Sequence, residues 1–466
     1  MAAPTVTTAP GTTTEPGTTT ATATTTLSPT GVVERRRGRW IDRWDPEDPH
    51  FWENGGRVTA RRNLTPSIFA EFLGFAMWAS WSIVVPQLAS VGFALTVDQQ
   101  FWLIALPSLV GATLRIPYTF AVPLLGGRNW TIVSALLLLL PASALAYVVT
   151  RPETSFGTLL VVAALAGLGG GNFASSMANI SFFYPEREKG KALGLNAAGG
   201  NIGTAAVQLA VPLVIVAGAG LHLERAGLMF IPLVLLAAFW AWRRMDNLAG
   251  MKSDYRAFGA ATRSRHTWII SFLYIGTFGS FIGFSGAFPT LLKGQFPEVT
   301  LTVAFLGALV GSLARPTGGM LADRLGGARV TIASYGVMAL GTVGAVLSLR
   351  GGDFWGFLAS FLVLFIATGV GNGSVYRMIP AVFQVGATTT DAAARGRKAA
   401  AGCIGIAGAV GAFGGFLIPR GFAVSSTATG SLEPALWAFV GMYAVMALVT
   451  WAVYARRGST LAASVI

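Results

Sequence analysis

Charge is scarce in this chain: Asp, Glu, Lys and Arg make up 11% of its 466 residues, against 53% hydrophobic residues and a mean hydropathy of +0.60. Such a composition excludes a soluble domain and indicates a polytopic membrane protein. Cysteine is nearly absent, and the single Cys403 excludes a disulfide framework and any cysteine-based metal centre. The three histidines, His50, His222 and His266, lie outside the apolar runs, and no Asp, Glu or His is expected at mid-membrane depth. With no nucleophile and base paired inside a span, neither an enzyme nor a bound cofactor or metal is expected. The first thirty residues hold fourteen threonines and lack the apolar core of a signal peptide, so 1–33 reads as a disordered tail.

What is abundant is apolar length and glycine. Twelve apolar segments of about twenty residues fall between 68 and 455, each long enough to cross a hydrocarbon core roughly 30 Å thick. The 58 glycines suit helices whose backbones approach closely. The net charge of +13 comes from short basic clusters between the apolar runs, which is a topology signal and not a nucleic-acid footprint. Placing both termini inside puts 25 of the 33 Lys and Arg on the cytoplasmic side and leaves only Arg151, Arg225, Lys293, Arg350 and Arg420 outside. The expected organisation is a polar lead-in over 34–66, a six-helix half over 67–242, a basic cytoplasmic linker over 243–267, a second six-helix half over 268–457 and a tail over 458–466.

The halves are related. At an offset of 200, Arg115 falls on Arg315, Gly126 and Gly127 on Gly326 and Gly327, and "GGGN" ending at Asn172 on "GVGN" ending at Asn372. The fold expected is therefore all-α, twelve transmembrane helices in two pseudo-symmetric six-helix halves, the layout of a major facilitator transporter. The second copy carries "GGMLADRLGGAR" (318–329), similar to the signature loop of that superfamily, with Asp323 and Arg324 as its ionic pair and gate. The first copy has Pro123 and Leu124 there instead.

Arg115 and Arg315 stand in apolar segments with no carboxylate expected beside them; the nearest acids are Glu71, at the start of the first span, and Asp323. An uncompensated guanidinium at the bilayer centre costs about 2.5–3.5 kcal/mol on insertion scales. One such arginine can bond helix-end carbonyls or reach the surface, but two at equivalent places argue for an anion between the halves. A guanidinium is a flat fork suited to a small planar oxyanion. Phe173, Tyr274 and Phe278 are candidates to cover its faces, although aromatics at helical spacing also pack cores. Arg377, beside Pro380 near a segment end, reads as reaching for the surface. Gly199, Gly200 and Gly203 surround Asn201 in one segment, and Gly408 and Gly411 lie in another; both patterns serve close helix packing, and Asn201 adds an amide donor facing the interior.

With these stretches quoted, a resemblance follows. "RIPYTF", "GGGNFASSMANISFFYP", "AAGGNIG" (197–203), "YIGTFGSFIGFSGAF", "RPTGGMLADRLGG" and "AGAVGAFGG" (407–415) resemble the NarK-type nitrate/nitrite porters of the major facilitator superfamily, over about 45–457. The resemblance implies nitrate and nitrite as substrates, held by Arg115 and Arg315 between Phe173 and Phe278, with Tyr274 and Asn201 nearby. Ala409 stands where the second signature would match Asn201. A monomer in the cell membrane, with lipid as its other partner, is expected. Two facing positive charges in an empty site and no titratable group at depth favour nitrate/nitrite exchange; a proton-linked nitrate importer and a membrane nitrate sensor are the alternatives.

Overall fold

The computed structural model describes residues 33–251 and 255–456, so all of the Thr-rich tail but Val33, and the tail 458–466, lie outside the described residues. Among the described residues, twelve helices are long and apolar enough to cross a membrane. They are α1 (Pro49–Val91), α2 (Val97–Leu125), α3 (Gly127–Val148), α4 (Phe156–Phe183), α5 (Glu186–Ile215), α6 (Arg225–Arg244), α7 (Arg265–Gln295), α8 (Leu301–Leu325), α9 (Gly327–Gly351), α10 (Phe354–Gln384), α11 (Thr390–Thr429) and α12 (Glu433–Ala455). The internal offset survives in backbone detail: α2 and α8 both end at a left-handed glycine, Gly126 at φ 87° and Gly326 at φ 91°, before α3 and α9 begin. A side chain at Gly126 would also strike Asn247 Oδ1 at 2.3 Å, so glycine is needed there on both counts.

Small residues bring α4 onto α2 and α10 onto α8. A β-carbon at Gly170 would lie 2.9 Å from the Gly111 backbone, and one at Gly369 2.1 Å from the Gly311 carbonyl. Backbones this close leave no room for lipid or water and fix the depth at which Arg115 and Arg315 stand.

The polar lead-in is folded onto the first half. α1 starts at Pro49, well before the span expected from hydropathy, bends at Gly55 (φ 140°) and runs on through Arg57–Val84. Upstream, a two-residue strand β1 (Trp40–Ile41) pairs in parallel with β2 (Asn247–Leu248) from the linker. The junction is built on Asp246, which is fully buried and takes Arg35 Nε at 2.9 Å, Arg39 Nη2 at 2.8 Å, Arg62 and the Asn63 amide at 3.1 Å. Burial alone would push the Asp246 carboxyl up, but the bonds and charges of Arg35 and Arg62 outweigh it and hold the group below the usual carboxylate range. Trp52, also buried, donates to Glu188 Oε1 at 2.9 Å and ties α1 to α5. The linker carries a further helix, Tyr255–Arg263.

The halves meet at one end of the bundle. There Arg420 bonds Asp98 at 2.8 Å, the Phe101 and Phe422 rings stack at 6.2 Å, and Gln208 Nε2 donates to the Ser285 carbonyl at 2.7 Å. Arg115 lies further along α2, beneath this closed end.

Candidate functional site

α2 supplies Arg115 and α8 supplies Arg315, 1% and 8% exposed. Arg115 Nε donates to the Gly170 carbonyl at 3.3 Å, and Nη1 to the Gly408 carbonyl at 2.5 Å. The first acceptor is in its own half and the second is across the interface on α11. Carbonyl pairing, one of the two sequence-based alternatives, is thus partly realised, yet Nη2 is buried without a partner. Arg315 is similar: Nη2 donates to Tyr274 Oη at 3.3 Å, and the buried Nη1 has no partner. Each half therefore offers one uncommitted guanidinium nitrogen.

Rings enclose the guanidinium of Arg115. Its carbon lies 4.6 Å from the Phe173 centroid, 5.1 Å from Phe278 and 5.6 Å from Trp78. Phe173 and Phe278 come from opposite halves and stack with centroids 6.3 Å apart. Phe278 sits inside a π-helical turn of α7, Ile275–Gly279, and stacks on Tyr274 at 5.2 Å. Tyr376 lies 5.4 Å from the Arg315 guanidinium, and its buried hydroxyl is unpartnered. Unused buried donors around this centre include Arg115 Nη2, Arg315 Nη1 and the Tyr376 hydroxyl, a set that fits a small oxyanion.

The other sequence candidates divide. Gly408 and Gly411 line the centre: Gly408 lends its carbonyl to Arg115, and a β-carbon at Gly411 would lie 2.5 Å from the Tyr274 ring. Gly199, Gly200 and Gly203 instead face α1, where they meet Ile68, Glu71 and the Phe72 carbonyl. Asn201 is 1% exposed with Oδ1 unpartnered, and no hydrogen bond joins it to either arginine among the described residues. Asn172 packs on Gly74 of α1, and Asn372 is buried in α10.

Two expectations need correction. Asp323 does not pair with Arg324 among the described residues; its partner is Arg377 on α10, because adjacent helical residues point apart while α8 and α10 run side by side. Arg377 is thereby an ion-pair partner, not merely a surface-seeking chain. Its counterpart at the offset of 200 is Met177, so the first half lacks both members of the pair. Glu71 was expected at the start of the first span. Because α1 begins at Pro49, it is instead well inside the helix and 0% exposed. The pattern RVTARRN before it read as lead-in, and only the Asp246 contacts reveal it as helix. Trp78, Tyr376 and the Gly408 carbonyl were also missed; a backbone acceptor leaves no mark in a sequence.

Twelve membrane-spanning helices in two related halves, each bringing a buried arginine to the same set of aromatic rings, have the form of a membrane carrier. The Major Facilitator Superfamily model matches residues 68–419. The chain is 41% identical over 442 residues to the nitrate/nitrite transporter NarU of Salmonella typhimurium, covering 89% of this chain and 96% of that one. It is 40% identical to NarU of Escherichia coli, with 91% and 98% covered, and 36% identical to the probable nitrate/nitrite antiporter NarK2 of Thermus thermophilus, with 92% and 99% covered. Among solved structures, a bacterial homologue of the lysosomal transporter Spinster, inward-facing and unoccupied, matches with a TM-score of 0.63 at 14% identity over 84% of this chain and 96% of that one, which supports the fold. The chain belongs to the major facilitator superfamily and, within it, to the NarK-type nitrate/nitrite porters.

Proposed function

We propose that this protein carries nitrate and nitrite across the cell membrane by alternating access, exchanging one for the other at Arg115 and Arg315. The observation that carries this is the pair of uncommitted buried guanidinium nitrogens, one from each half, between the Phe173 and Phe278 rings. The printed names of the relatives supply the identity of the anion. Both termini lie in the cytoplasm, the Asp98–Arg420 end faces outward, and the protein works as a monomer. Residues 67–242 and 268–457 form the moving halves, joined by 243–267. Asn201 is an amide donor to the anion, and Asp323 with Arg377 steadies the cytoplasmic end of the second half.

Exchange follows from Arg115. Its bond to Gly408 ties the halves together, and breaking that bond in an empty site leaves a buried donor unpaired beside a second positive charge. A bound anion takes the donor over and lets the halves part. Counterflow tests this: labelled nitrate entry into proteoliposomes is expected to rise many-fold when they are preloaded with nitrite. Entry indifferent to internal nitrite sinks the exchange mode. Proton-linked nitrate uptake is the second reading, and Glu71 favours it, because a titratable group is fully buried inside α1.

A further inference from the structure

Glu71 has no role in the anion site as described, yet it is a fully buried carboxyl inside α1. Oε2 accepts from the Ser176 hydroxyl on α4 and the Asn196 amide on α5, while Oε1 has no donor. Gly200 is what lets it sit there, since a β-carbon at that position would lie 2.4 Å from Oε1. No cation forms an ion pair with it among the described residues. The groups that act on it are the neutral Ser176 and Asn196 in contact, and Arg115 of α2, Arg315 of α8 and Tyr376 of α10 through space. A carboxylate this deeply buried, with only neutral donors, is left costly in its charged form. A proton is the partner small enough to reach it.

The site also couples to the anion. The Phe173 carbonyl, 3.2 Å from Ser176 Oγ, is the alternative acceptor for that one hydroxyl proton, so the carboxyl and the ring covering Arg115 hang on one turn of α4. With Glu71 ionised, the two arginines and the carboxylate sum to +1, and an incoming anion competes with the carboxylate for the same positive field. Anion binding therefore strengthens proton binding, and by linkage the proton strengthens anion binding by the same factor.

We infer that Glu71 is a proton-binding site linked to the anion site: its carboxylate takes one proton from the solution facing the open side, becomes the neutral acid, and the proton crosses with the anion. The inference rests on the anion reading above and adds a proton to each loaded crossing.

The test is calorimetric titration of the full-length detergent-solubilised protein with nitrate, across a pH series in two buffers of different ionisation enthalpy, which yields the protons taken up per anion. The wild type is expected to take up a fraction of one proton per nitrate and to bind nitrate on the order of tenfold more tightly below the titration of Glu71 than above it, within the usual range of coupling between sites. Glu71→Gln, held neutral, is expected to bind at the low-pH affinity throughout and to take up none. Ser176→Ala, which removes a donor from the ionised form and keeps the carboxyl, is expected to move the midpoint to higher pH. Proton uptake persisting in Glu71→Gln overturns the inference, as does a wild type that binds nitrate with no proton uptake at any pH. If Glu71→Gln does not fold, an unmoved midpoint in Ser176→Ala overturns it. A wild type that binds no nitrate overturns the anion reading itself, and this inference with it.

Discussion

Replacing Arg115 by lysine keeps the charge and removes the fork, which separates the two things the residue does. In the structure its three guanidinium nitrogens are divided between the Gly170 carbonyl, the Gly408 carbonyl and an uncommitted donor. A single ammonium on a thinner stem cannot span two carbonyls on opposite halves and also meet an anion between two rings. At least one hydrogen bond to the anion is lost, worth about 1.5–3 kcal/mol when one partner is charged. At about 1.4 kcal/mol per factor of ten, nitrate affinity is expected to fall roughly 10- to 100-fold. Arg315→Lys is expected to cost less, because among the described residues Arg315 holds only Tyr274, across a longer 3.3 Å bond, and no group of the opposite half. The assay is equilibrium nitrate binding to purified protein, with thermal unfolding run alongside to confirm the fold. Affinity within about twofold of wild type in both variants would refute the site, since bonds to charged partners of this kind do not vanish unnoticed.

Two further outcomes follow from packing and charge. Gly411→Ala and Gly408→Ala make the same chemical change three residues apart, but a β-carbon at 411 enters the Tyr274 ring at 2.5 Å while one at 408 meets Phe173 and Arg115 at ordinary distances of 3.8 and 3.9 Å. Gly411→Ala is expected to displace Tyr274 from Arg315 and weaken nitrate binding at least about tenfold, on the order of one lost bond to a charged group. Gly408→Ala is expected to leave affinity nearly unchanged in the same titration. Asp246→Asn leaves Arg35, Arg39 and Arg62 without their shared carboxylate; since each keeps about a quarter of its side chain exposed, the loss is expected at about 3 kcal/mol, the lower end for a broken buried pair. It is read as a fall in the unfolding temperature. Because the folded carboxyl titrates below its unfolded value, this stability is complete above the unfolded carboxyl range near about 4 and disappears as pH falls through the folded value. Scanning fluorimetry across an acid series checks the sign.

Hydropathy and one internal offset were enough to read twelve spans, two halves and the paired arginines, because each of those signals is local in the chain or repeated in it. What the chain could not reveal depends on non-local partners. The start of α1 was hidden because Arg57, Arg61, Arg62 and Asn63 look like solvent-facing lead-in, and only the Asp246 cage shows why Arg62 is helical and partly buried and Asn63 helical and fully buried. That boundary carried Glu71 with it, from an expected membrane edge to the interior. The Asp323 partner was misread for the related reason that neighbours in sequence are not neighbours on a helix, whereas Arg377 on α10 is. Aromatic coverage was read from Phe173, Tyr274 and Phe278, yet Tyr376 and Trp78 carry the same kind of contact and had no motif to mark them.

The halves are copies with divided labour. Gly200 and Gly408 occupy matching places in the two signature segments, at the offset that aligns Asn201 with Ala409. The first gives its missing side chain's space to the Glu71 carboxyl; the second gives its carbonyl to the Arg115 guanidinium. One signature position thus serves a negative group in the first half through its missing side chain and a positive group in the second through its backbone carbonyl. The charges involved are not equivalent either, since among the described residues Arg115 bonds across the interface and Arg315 does not. A symmetric site would release an anion equally from both halves. In this one the bond that must break on opening belongs to Arg115 and Gly408, so the anion is expected to part from the Arg115 side last, and changes at Arg115 should slow exchange more than equal changes at Arg315.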